Sequence, residues 1–227
     1  MTRARALPPV AAIALAMAAA ACVSGKPLNT TGWTGTEDYF VEYRLAPPDL
    51  NATTVCHGYN CRYKTRITFS DGDIDTLRAA FAANGATAAA EREEMSQAVA
   101  FLETITGAVI GTADDPGAVL ENEHIGDPTR QDCVDEAATT TGYLVLLANN
   151  GMLRHHTVSE PAQRGWLIDG RWQHYTAVVE ESATGERYVV DSWFRDNGQP
   201  AVVMSLSDWL FDWTPSSTKR LPEEEAT

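Results

Sequence analysis

The sequence predicts an α+β domain. Apolar residues recur at helical spacing through residues 71–106 and again through 133–147. After Gly151 the pattern turns to period-two alternation, and turn residues cut it into short strands. Helices first and an antiparallel sheet afterwards point to an α+β arrangement, not to alternating βαβ units. With 227 residues and 44% hydrophobic content, the chain can bury one core. A formal net charge of −14 leaves no basic patch for phosphates, which excludes nucleic acid as a partner.

The chain opens on basic Arg3 and Arg5, then runs uncharged through 10–21 and ends in Ala19-Ala20-Ala21-Cys22. That is the build of a secretory signal peptide over 1–21, too short and Ala-rich for a membrane span. The small residues before Cys22 fit two outcomes. Cys22 is lipidated and anchors the protein to the bacterial envelope membrane, or an ordinary cleavage releases a periplasmic protein. The polar, aperiodic segment 22–37 reads as a tether and favours the lipoprotein. Residues 38–216 then form the domain, and 217–227, with Glu223, Glu224 and Glu225, reads as a disordered acidic tail.

Within the domain, alternation through 39–45 predicts a short strand that Pro47 and Pro48 end. A clearer strand follows over 62–69, with Tyr63, Thr65, Ile67 and Phe69 on one face and Arg62, Lys64 and Arg66 on the other. Ile74, Leu77 and Phe81 mark a helix that stops at Asn84-Gly85. Asp71, Asp73 and Asp75 alternate as in a calcium loop, but the sixth-position Gly and twelfth-position Glu of an EF-hand are missing. A second helix is expected over 87–106, with Met95, Val99, Leu102 and Ile105 as core, 91–94 as its solvated end and Gly107 as its stop. A polar connection, 111–130, carries His124 as an exposed loop residue.

The next helix organises the chain. Asp132 is an N-cap and Asp135 completes a capping-box pattern. Cys133, Ala137, Thr140, Leu144 and Leu147 share one buried face, and Asn149-Asn150-Gly151 stops the helix. Strands are expected over 152–158, 165–168, 171–180, 188–193 and 201–204, with a hairpin turn at 182–185 and a loop at 161–164. A helical turn capped by Ser207 covers 207–213.

Cys56 and Cys61 lie five apart and read as a small loop disulfide in an oxidising compartment. His57 between them adds too few ligands for zinc. Cys133 is left unpaired at a helix N-terminus, where the macrodipole favours the thiolate while Asp132 and Asp135 oppose it. A nucleophile there needs a base and an orienter for that base. With a two- or four-residue hairpin loop at 182–185, His174 sits opposite Asp191 or Trp193 and shares a face with Asp191. An odd-length loop without a bulge would separate them. The bland alternative is a core cysteine, a strand-end histidine and a capping aspartate.

A helix-tip cysteine in Asp132-Cys133-Val134-Asp135, His174 starting a strand, and Val190-Asp191 ending the next resemble the transglutaminase-like cysteine hydrolases. Within them the pattern looks most like the bacterial transglutaminase-like cysteine proteinases of the periplasm, over roughly residues 91–213. The resemblance implies a papain/transglutaminase-like fold with the cysteine helix packed on an antiparallel sheet. It implies a thiol hydrolase of peptide or amide bonds acting on an envelope peptide or protein, with Cys133 as nucleophile, His174 as general base and acid, and Asp191 as orienter. Some relatives bind calcium through the residue at Asp135; the other role for Asp135 is the helix cap alone, with no cofactor. Gln131 stands where the family has glycine and is a candidate to share an oxyanion site with the Cys133 N–H. A non-catalytic envelope lipoprotein that uses this fold and its tryptophans (Trp166, Trp172, Trp193, Trp209, Trp213) to bind protein is the alternative function.

Overall fold

The computed structural model describes residues 36–119, 122–165 and 173–211. The leader, Cys22, nearly all of the tether, Trp166, Trp172, Trp213 and the acidic tail lie outside the described residues. In chain order the elements are α1 (Glu37–Glu42), β1 (Ala52–His57), β2 (Tyr63–Thr68), α2 (Asp71–Asn84), α3 (Ala88–Ile110) and a 3₁₀ turn (Asn122–His124). Then come α4 (Cys133–Asn149), β3 (His156–Arg164), β4 (His174–Glu181), β5 (Arg187–Asp191), β6 (Val202–Ser205) and α5 (Leu206–Phe211). The architecture is mixed α and β with two antiparallel sheets: a β1–β2 ribbon and a β3-β4-β5-β6 meander.

Helix α4 lies between these sheets, packed on β1 from one side and on β3 and β4 from the other, with α3 alongside. That position explains its composition. The sequence reads as one buried face, but every residue from 135 to 148 is buried, because the helix has neighbours all round. Leu144, Leu146 and Leu147 meet Phe69, Phe81, Met95, Leu102, Val158 and Val179 in the main core. The four-stranded sheet uses both faces. Ala177, Val179 and Val190 join the core with α4, while Val178 and Val189 pack under Leu206 and Trp209 of α5.

Several elements differ from the sequence expectation. Residues 37–42 are helical, not a strand: Glu37 and Asp38 suit a first helical turn, and Tyr39 and Tyr43 meet one turn apart with ring centroids 4.6 Å from each other. β1 carries no alternation because all six of its residues are buried, so nothing in its pattern announces a strand. Helix α3 runs through Gly107 to Gly111, which adopts the left-handed conformation at φ 90. Gly107 is small for another reason: the Ala113 backbone comes within 3.2 Å of where its Cβ would lie. Glu91 is not solvated but 0% exposed. β3 starts at His156 and continues through the expected 161–164 loop, with a register shift between Ser159 and Ala162 that admits Pro161. The cap of α5 is Ser205, whose Oγ accepts the Asp208 N–H at 3.1 Å, not Ser207.

Candidate active site

The cysteine helix starts on the expected capping box. Asp132 Oδ1 accepts the N–H groups of Val134 (3.1 Å) and Asp135 (2.9 Å), and Asp135 Oδ2 accepts the Asp132 N–H at 3.2 Å. Cys133 is the first helical residue and is 7% exposed. Burial pushes its thiol up to about 12; the Tyr175 N–H, which points at the sulfur, opposes that shift, and the charges of Asp132 and Asp191 add to it. The thiol therefore rests protonated. Its contact with Tyr175 also fixes its place, against the start of β4 and one residue along from His174.

The hairpin carries the other two residues as its arithmetic demanded. Ala177 pairs with Val190 and Glu180 with Arg187, the register of a four-residue loop. His174 Nε2 donates to Asp191 Oδ2 at 2.8 Å, with both groups buried. Trp209 Nε1 donates to the same oxygen at 3.0 Å. The imidazole is wrapped by Trp193 and Phe194, both 4.8 Å away, and Trp209 at 5.6 Å. Trp193 and Trp209 thus pack on a histidine. Arg164 in turn lies 4.3 Å over the Trp209 ring and donates to the Trp209 carbonyl.

With Nε2 donating to Asp191, Nδ1 is the bare lone pair of this tautomer, and it is buried without a partner. His174 and Asp191 project toward the α5 side of the sheet, beside Trp209, whereas α4 covers the opposite face. No thiol–imidazole hydrogen bond is closed. The structure brings His174 and Asp191 into direct contact. It brings Cys133 only as far as the neighbouring strand amide.

Gln131 and Asp135 both turn toward the Cys56–Cys61 disulfide loop. Gln131 Nε2 donates to the Cys56 carbonyl at 2.8 Å, and its own N–H is held by Asp115 Oδ2 at 2.9 Å. Asp135 accepts the N–H groups of Tyr59 (2.7 Å) and Cys61 (2.6 Å). N–H donors on both carboxylate oxygens compete with a calcium ion instead of completing an oxygen shell, so Asp135 does not fit that metal here. Among the described residues no group of three His, Cys, Asp or Glu side chains is arranged to hold a metal.

Two buried acidic clusters were not expected. Behind Asp191, Ser192 Oγ donates to Glu136 Oε2 at 2.6 Å and meets Thr140 Oγ1 at 2.9 Å. Glu103 lies beside Glu136; its Oε2 accepts the Gly198 N–H at 3.0 Å, and its Oε1 is buried without a partner. Burial pushes both carboxyl groups up, Glu103 to about 7, and each charge would raise the other further. Farther off, Glu91 accepts the N–H groups of Arg154, His155 and His156 and the His156 Nδ1–H, while His156 Nε2 meets Arg92, which pairs with Glu181. The sequence held one signal for both clusters: Glu91 and Glu103 sit on the helical stripe of Met95, Val99 and Thr106. No protein-family model, curated protein or solved structure matches this chain.

Proposed function

We propose that this protein is a thiol hydrolase of peptide or amide bonds, with a papain/transglutaminase-like Cys133-His174-Asp191 triad. The observation that carries the reading is the buried imidazole, fixed by Asp191 through Nε2 and with Nδ1 lacking any partner, one residue from the amide that touches the Cys133 sulfur. An unpartnered buried ring nitrogen is costly unless it has a proton to take. Apo sites of this kind commonly leave the nucleophile–base contact open and close it around substrate.

In this mechanism His174 Nδ1 takes the Cys133 proton as the sulfur bonds to the substrate carbonyl carbon. Asp191 stabilises the resulting imidazolium, and Trp209 holds Asp191 in place. Collapse of the tetrahedral intermediate expels the amine, which leaves with the proton from His174. A water then gives its proton to His174, attacks the thioester and releases the acid and the free thiol. The Cys133 N–H, an orphan donor of the first helical turn, receives the oxyanion. Gln131 assists only through its second amide hydrogen, the first being on the Cys56 carbonyl. The reading of residues 1–21 as a signal peptide and of Cys22 as a lipid anchor supports an envelope location, with peptide or protein substrates.

The second reading, a non-catalytic envelope lipoprotein that binds protein with this fold, has one observation in its favour: burial pushes the thiol up to about 12. Alkylation of Cys133 by iodoacetamide, followed by peptide mass spectrometry, separates the two. A working base predicts that His174→Ala alkylates at least about tenfold more slowly than the parent at neutral pH. Equal rates would defeat the hydrolase and leave the binding protein standing. As a cellular check, Cys133→Ala abolishes the biological effect of an enzyme and spares that of a binder.

A further inference from the structure

We infer that the loop closed by the Cys56–Cys61 disulfide is a positioning element for the nucleophile, so that the protein becomes active only once that disulfide has formed. The catalytic part of this inference rests on the hydrolase reading; the positioning part rests on the loop alone.

Residues Gly58 (φ 83), Tyr59 (φ 70), Asn60 (φ 54) and Cys61 (φ 53) are four consecutive left-handed residues. Three of them are not glycine, and each pays steric cost for that conformation. Held this way, the loop turns three successive N–H groups toward the tip of α4. Tyr59 and Cys61 donate to Asp135 at 2.7 and 2.6 Å, and Asn60 donates to Asp132 Oδ2 at 2.9 Å. Those two aspartates stand on either side of Cys133. The loop also grips the segment leading to the helix: Gly58 donates to the Arg130 carbonyl at 2.7 Å, and Gln131 donates to the Cys56 carbonyl at 2.8 Å.

The groups around the thiol make these amides matter. Asp132 comes from its own cap, Asp191 from β5 and the Tyr175 amide from β4, while the charge of Asp135 reaches Tyr39 of α1. The nearby charges are therefore mostly negative and oppose a thiolate. Amide donors that concentrate negative charge on the far side of Asp132 and Asp135 make the thiolate less unfavourable.

Closure is a two-electron step. The Cys56 and Cys61 thiols lose two protons and two electrons to a disulfide oxidant, which becomes a dithiol, and the S–S bond forms. A chain still reduced lacks this constraint, and its loop relaxes toward ordinary φ values, turning the amides away. Activity is thereby tied to an oxidising compartment through a pair of cysteines that never touch substrate.

The test follows Cys133 alkylation from pH 6 to 10, resolved by peptide, with circular dichroism as the check on folding. Three forms are compared with the oxidised parent: the double variant Cys56→Ser/Cys61→Ser, the dithiothreitol-reduced parent, and Gly58→Ala. The last keeps the disulfide but forces a left-handed alanine against the Tyr63 ring. In each folded form the alkylation rate at pH 7.5 falls about tenfold. A merely structural loop would lower the melting temperature and leave that rate in place, and that result in any folded form overturns the inference. Gly58→Ala carries the test if the double variant does not fold. His174→Ala distinguishes the two readings. Loop forms that slow alkylation while His174→Ala does not sink the hydrolase alone, and the converse sinks the loop alone.

Discussion

Replacing Glu103 by Gln should flatten the pH dependence of stability between pH 4.5 and 7. Glu103 sits in α3, buried against Glu136 of α4, and burial raises its acid from 4.5 to about 7. The folded state therefore holds a proton that the unfolded state gives up above about pH 4.5. A raised acid contributes its stability fully below the unfolded value and loses it as pH rises through the folded one. At about 1.4 kcal/mol per pH unit, the loss across that window is about 3 kcal/mol. The Glu103→Gln amide is neutral, as the protonated acid is, so the variant needs no proton at that position. Urea unfolding at pH 4.5, 5.5, 6.5 and 7.5 measures both proteins. The variant should gain on the parent by about 3 kcal/mol from the first pH to the last. Asp115, pushed up to about 6 chiefly by burial, tilts both curves the same way and cancels in the difference. Parallel curves would show that the pair does not hold its proton through this range, and the buried dyad would have to be ionised.

Two other substitutions separate the candidate site from the scaffold. Trp209→Phe removes the indole N–H from Asp191 but keeps an aromatic ring near His174. A hydrogen bond to a charged group is worth about 1.5–3 kcal/mol, so the variant should lose several degrees of melting temperature and alkylate Cys133 about tenfold more slowly. An unchanged rate would show that Trp209 does not position the triad. Glu91→Gln turns an amide NH2 toward three backbone N–H groups and the His156 Nδ1–H, at a cost of about 2–3 kcal/mol. Hydrogen bonds from His156 and the Arg154 and His155 amides hold Glu91 below its usual range against burial, so this contribution is present above the unfolded carboxylate value and lost as pH falls through the folded one. If the folded Glu91→Gln protein changes the Cys133 alkylation rate at pH 7.5, the two clusters are not independent.

The parts legible in the sequence were those whose pattern is local. The Asp132/Asp135 cap, the stripe of Ile74, Leu77 and Phe81, the Cys56–Cys61 pairing and the hairpin register all depend on residues a few positions apart. β1 was hidden because a strand buried on both faces has no alternation to read. Helix α1 was misread because Tyr39, Val41 and Tyr43 satisfy period two, while the decisive contact between Tyr39 and Tyr43 runs at i,i+4. Glu91 and Glu103 were harder still. Their partners, His156 and Glu136, lie 65 and 33 positions away, and the one local signal was their place on the apolar stripe of Met95, Val99 and Thr106. The site followed the same rule. The His174–Asp191 contact followed from hairpin parity, while the sheet face that would meet α4 depended on packing that no local pattern encodes.

The distribution of acids around Cys133 argues for how the thiol must work. Asp132, Asp135, Asp191, Glu136, Glu103 and Asp115 all lie within the two layers around the tip of α4, where Arg130 pairs with Asp115. The acids are tolerated by two devices. Asp132 and Asp135 are answered by amide N–H groups, and Glu103 and Glu136 by the protons that burial favours. Neither device provides a positive charge beside the sulfur, so a standing thiolate would face uncompensated carboxylates in a buried site. A resting thiolate–imidazolium pair is therefore disfavoured, and Cys133 must give up its proton as it attacks, with the imidazolium existing only while Asp191 and the developing oxyanion stabilise it. Reaction at this thiol should accordingly depend on the His174 Nδ1 lone pair, which takes the proton as the electrophile arrives.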